Sequence, residues 1–276
     1  LNLESIYLQL SDLSKVTSLV NAKVRLLLEN DPEYQIHRVI FGFIKKDRNL
    51  CEEYLNKFKN STNVNGHRDS REQVKIFSNA YFYLISHLIE YVDFQSETGF
   101  DVLYHIGESH CLSYAHSHIS INENKYSICP KLTLGGKAFH FADLSNNGYK
   151  EITLNNLNSL KKRSIVFISF GEIDCRENEG LVTASNKLGI QLETLVQETV
   201  FRFVTWFIKN NSVNKHKFYF FNVPAPVYDA KYTVELNSKR NSCINLFNTE
   251  LKKVLERYQV NLIDVYKHTI SSDGFS

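Results

Sequence analysis

An apolar run at residues 102–106 ends in Gly107, Glu108 and Ser109, with His110 next. Glycine permits a tight turn where a strand stops. If a helix begins there, Ser109 sits between the carboxyl end of a strand and the amino end of a helix. Unpaired backbone N–H groups and the helix dipole then favour an anion or a developing oxyanion. That is a place for a serine nucleophile, and equally for the serine N-cap that helices prefer. A second buried-strand pattern, residues 163–169, runs into Phe170-Gly171-Glu172-Ile173-Asp174-Cys175-Arg176. In a parallel sheet both strand ends fall on one edge, where open α/β folds bind ligands. Between them lies Leu132-Thr133-Leu134-Gly135-Gly136-Lys137-Ala138-Phe139-His140, whose glycine pair can offer N–H groups to the same edge.

Together these motifs resemble those of the SGNH, or GDSL-like, hydrolase superfamily. Gly107-Glu108-Ser109 is similar to the family's nucleophile block, with Glu in place of Asp. Gly135 or Gly136 stands for the oxyanion glycine. Gly171-Glu172-Ile173-Asp174 resembles the G-x-N-D block, with Ile173 where the family has an oxyanion Asn. The wording from Phe170 to Arg176 is similar to bacterial SGNH-like proteins with helical or tetratricopeptide-like amino-terminal regions. Val223-Pro224-Ala225-Pro226 resembles the family's proline-containing loop after a late strand. The resemblance covers residues 101–276. It implies a flavodoxin-like three-layer parallel sheet and a serine ester hydrolase or O-acyltransferase acting on an acylated carbohydrate. Ser109 would be the nucleophile, with Gly135 and Gly136 as oxyanion candidates. Gly107, Glu108, His110, His140, Gly171, Glu172, Asp174 and Arg176 would line the binding site. A second reading is a non-catalytic SGNH-like binding or scaffolding module, favoured by Ile173 and by the missing base.

The family's catalytic D-x-x-H block is not found: Asp264-Val265-Tyr266-Lys267-His268 has one residue too many. The chain has no methionine and stops at Asp273-Gly274-Phe275-Ser276, about where that block's loop would lie. The expectation is a domain truncated at its carboxyl end, with the base beyond Ser276. Neither His110, adjacent to Ser109, nor His116 and His118, two helical turns on, is placed to reach its hydroxyl if a helix follows. His140 is a pocket-lining candidate. Arg176 either pins its loop in an ion pair with Glu172 or Asp174, or holds an anionic or sugar substrate in its planar fork. His116, His118, Cys129 and His140 match no recognised metal spacing, so neither a metal nor another cofactor is expected.

The elements that must position these residues follow from periodicity. Residues 1–98 read as a helical region, with helical patterns over 6–27, 36–44, 51–58 and 73–92 and a polar loop at 60–69. Such a region suits packing or a protein partner. Residues 99–276 read as an α/β domain, with strands at 102–106, 125–129, 164–170, 217–222 and 259–264. Helices are expected at 109–120, 135–144, 151–161, 184–211 and 236–258. This alternation predicts a parallel sheet covered on both faces. With 32 Lys plus Arg against 30 Asp plus Glu, the net charge of +2 gives no footprint for nucleic acid. No stretch reaches the roughly 20 apolar residues of a membrane span. Five dispersed cysteines without a C-x-x-C indicate a reducing, cytoplasmic setting.

Overall fold

The computed structural model describes residues 29–65, 72–94, 99–272 and 274–276. The helical pattern expected over 6–27 lies outside them. The chain divides into two compact units, one formed by residues up to Asp101 with Leu112–Cys129, the other by Val102–Cys111 and Pro130–Ser276.

The first unit carries α1 (Pro32–Ile44), α2 (Arg48–Asn65) and α3 (Glu72–Tyr91). Asp31 caps α1 by accepting the Tyr34 N–H at 2.9 Å, and Pro32 enters at the first turn. There its missing donor costs nothing. Ile36, Val39, Ile40 and Phe43 of α1 pack with Cys51, Tyr54, Leu55 and Phe58 of α2 in this unit's core. The polar stretch expected to be a loop from residue 60 is helical through Asn65. Asn, Ser and Thr are poor but tolerated helix residues, and an established helix propagates through them.

The second unit holds most of a mixed α/β fold with a six-stranded, mostly parallel sheet of order β2-β3-β1-β4-β5-β6. The strands are β1 (Asp101–Gly107), β2 (His118–Ile121), β3 (Asn124–Leu132), β4 (Ile165–Ser169), β5 (Lys217–Phe221) and β6 (Asn261–Ile263). β1, β4, β5 and β6 pair in parallel, with Gly107 in register with Ser169. The helices are α4 (Ala138–Ala142), α5 (Gly148–Ser159), α6 (Leu181–Leu188), α7 (Leu192–Asn210), α8 (Val234–Arg257) and α9 (Tyr266–Thr269).

Two expectations are corrected. Residues 109–120 are not a helix: a single 3-10 turn, Ser109–Leu112, gives way to β2, which pairs antiparallel with β3. Asn122 and Glu123 both have positive φ, 48° and 68°, the geometry of a two-residue hairpin turn. The sheet therefore has six strands rather than five. The helix expected over 184–211 is two helices, because Gly189 at φ 66° caps α6 in the left-handed conformation.

The core forms where α7 presents Val196, Val200, Phe203, Val204 and Phe207 to β4, β5 and α8. From α8 come Ile244, Phe247, Leu251 and Leu255. The burial pattern of α7 is one apolar face at helical spacing, and it holds the strand ends that carry the candidate site.

Candidate functional site

The end of β1 is tied to the segments that follow its neighbours. Thr133 N–H donates to Gly107 O at 2.7 Å, and Glu108 N–H to Ser169 O at 3.3 Å. A Cβ on Gly107 would overlap Ser169 Oγ and lie 2.7 Å from Ser169 O, so only glycine fits. Beneath this contact, His105 is fully buried with Nε2 2.9 Å from Ser169 Oγ. Burial, and then the field of His110, drop its pKa to about 3, so it is neutral. The sequence gives no sign of this pair, because neither residue belongs to a motif.

Glu108 is only 2 % exposed, yet it is the hub of the motif. Ser109 Oγ donates to its Oε2 at 2.8 Å, and the His110 N–H to the same oxygen at 3.1 Å. His110 Nδ1 lies 2.6 Å from Oε1. Burial alone would raise the Glu108 pKa, but the bonds and charge from His110 and the Ser109 hydroxyl hold it below the ordinary carboxylate value. Burial would lower His110, but Glu108 overrides it and, helped by Glu172, lifts the imidazole above its usual value. A carboxylate only accepts, so His110 Nδ1 carries a proton. The 3-10 turn thus does what an α-helix would not: it brings two adjacent side chains onto one carboxylate.

The glycine pair is partly committed elsewhere. Gly135 adopts φ 66°, and Gly136 gives its N–H to Thr133 O at 2.9 Å. The first N–H groups of α4 go to Asp174, which accepts from Ala138 at 2.7 Å and Phe139 at 2.9 Å. Asp174 is 1 % exposed. Burial raises its pKa from 3.8 to about 6 against the pull of these N–H groups and Lys137. It joins the loop after β4 to the loop after β3 from a buried position. His140 accepts the Lys137 N–H on Nδ1 at 3.0 Å and stacks on Tyr149 with ring centres 3.8 Å apart. Burial and then Lys137 lower its pKa to about 4, so it serves as a neutral cap of α4.

After β4, Gly171 stands at φ 125° with Phe247 and Val223 filling the space of a side chain. Glu172 receives Arg176 Nη2 at 2.7 Å and Arg240 Nη2 at 3.2 Å. Arg176 also reaches Glu179 at 3.0 Å, so the ion-pair role foreseen for it is present, with Glu172 and not Asp174 as partner. Arg240, 68 positions from Glu172, gave no signal in the sequence. Ile173 is buried at 8 % exposure and brings no polar group. Farther along, Asp264 Oδ1 accepts from Asn222 Nδ2 at 2.7 Å and from the Lys267 N–H at 3.2 Å. His268 is exposed. Among the described residues no group of three or more His, Cys, Asp or Glu is placed to hold a metal ion, and no helix is long and apolar enough to cross a membrane. None of the five cysteines is in a disulfide.

No protein-family model matches the chain, and no curated protein matches it.

Proposed function

We propose that the chain is an SGNH-like serine ester hydrolase or O-acyltransferase, with Ser109 as nucleophile and an acylated carbohydrate as substrate class. With β2 set aside, the strand order β3-β1-β4-β5-β6 reads 2-1-3-4-5 in chain order, which supports a flavodoxin-like sheet whose switch point would lie between β1 and β4. The observation that carries the reading is that Ser109 stands at this switch point with its hydroxyl on a buried, ionised carboxylate. The charges of Glu172 and Arg176, on the loop after β4, both act on His110. The oxyanion donors in this reading are the N–H groups of Ser109 and Gly135, since that of Gly136 is already bonded. A reducing, cytoplasmic setting belongs to this reading, on five dispersed cysteines without a C-x-x-C. The helical unit would serve a protein partner.

A second reading, a binding or scaffolding module, draws on Ile173, which supplies no side-chain donor, and on Ser109 Oγ, which donates to a carboxylate rather than to a histidine nitrogen. Reaction with a fluorophosphonate decides between them. The serine ester hydrolase should be phosphonylated at Ser109, mapped by peptide mass, and Ser109→Ala should abolish both labelling and aryl acetate turnover. A folded wild-type protein that is neither labelled nor active would overturn the hydrolase reading for this chain and favour the binding module.

A further inference from the structure

We infer that Glu108 and His110 are themselves the acid–base machinery of the Ser109 site, Glu108 taking the serine proton and His110 serving the leaving group and the acceptor. The inference rests on the serine-hydrolase reading and completes it with residues already at the site.

The geometry divides the roles. Each oxygen of one carboxylate faces a different partner: Oε2 takes the Ser109 hydroxyl at 2.8 Å, and Oε1 takes His110 Nδ1 at 2.6 Å. The third bond, from the His110 N–H to Oε2, fixes the carboxylate against the turn. Because Nδ1 is committed as a donor to Glu108, His110 can exchange protons with a ligand only through Nε2. The His110 side chain is 41 % exposed while Glu108 is 2 %, so the imidazole faces solvent and the carboxylate does not. The charged groups that act on it are Glu108 within the turn and Glu172 and Arg176 on the loop after β4, while His105 on β1, which feels the field of His110, is itself neutral.

The proton balance closes. In acylation the Ser109 O–H bond breaks, its proton passes to Glu108 Oε2, and Oγ bonds to the acyl carbon. The ester C–O bond then breaks, and the leaving oxygen takes the Nε2 proton of His110, which starts the cycle as the imidazolium and is left neutral with its remaining proton on Nδ1. In the second half, water or an acceptor hydroxyl gives its proton to Nε2 and its oxygen attacks the acyl carbon. As the C–Oγ bond breaks, Oγ recovers the proton from Glu108. Ester and water become acid and alcohol, and the three side chains return to their starting states. Glu108 is a weak base because its pKa is held low, which makes the first proton transfer the slow one for a good leaving group.

4-Nitrophenyl acetate separates the two roles, because nitrophenolate leaves without a proton. His110→Ala, a change at a partly exposed position, should still acylate but fail to deacylate. The expected result is a burst of nitrophenolate and a Ser109 peptide heavier by one acetyl group. Glu108→Gln should lose acylation itself, by roughly 10²- to 10⁴-fold, the usual worth of a positioned acid or base. Independently of activity, nitrogen NMR of the folded protein should show the proton on Nδ1 of neutral His110. Its titration should lie above that of free imidazole and move down in Glu108→Gln. A neutral His110 protonated on Nε2, or a His110→Ala enzyme turning over like wild type, would overturn the assignment. Wild-type protein inert to fluorophosphonate while His110 titrates as described would instead overturn the serine-hydrolase reading.

Discussion

Replacing Asp174 by Asn should change how stability depends on pH more than it changes stability at any one pH. The Asp174 carboxylate is 1 % exposed and accepts the Ala138 and Phe139 N–H groups, yet burial lifts its pKa from 3.8 to about 6. Between those values the folded protein holds a proton that the unfolded chain has released, so stability falls as pH rises. The interval of about two pH units, at about 1.4 kcal/mol each, is worth about 3 kcal/mol. That contribution is fully present below pH 3.8 and is lost as pH rises through about 6. The amide introduced by Asp174→Asn cannot titrate. It keeps one oxygen acceptor and leaves one N–H of α4 unpaired, a penalty of about 1–3 kcal/mol that does not vary with pH. Urea unfolding of both proteins from about pH 4 to about pH 7 should therefore show the wild type losing about 3 kcal/mol relative to Asp174→Asn. Parallel curves would refute the reasoning. So would a wild type that gains on the variant with rising pH, the behaviour of a carboxylate stabilised by its neighbours.

Two further outcomes follow from packing. Gly107→Ala drives a Cβ into Ser169 Oγ and to 2.7 Å from Ser169 O, so it should lower stability by at least about 1–3 kcal/mol in urea unfolding. Adding Ser169→Gly should recover only part of this, because the carbonyl contact remains. Phe247→Ala removes a fully buried ring that also packs at the face of Gly171, and should cost about 3–5 kcal/mol by the same assay.

The amino-acid sequence by itself determined the alternation of strands and helices, since apolar periods of two and of three to four residues are local properties. It also marked the edge where Gly107 and Gly171 end two strands, because only glycine suits those close approaches. It misled between residues 112 and 121, where the hairpin turn at Asn122 and Glu123 lacks the glycine that usually signals one. It read an unbroken helix through Gly189, although that glycine is the cap that ends α6. Tertiary structure alone decided the partners. Asp174 caps a helix that begins 36 residues before it, and Arg240 reaches Glu172 across 68 positions. His110 meets Ser109 only through Glu108, because the backbone after Gly107 closes into a 3-10 turn rather than an α-helix. Such pairings depend on where distant backbone segments come to rest, and no local pattern of residue types encodes that.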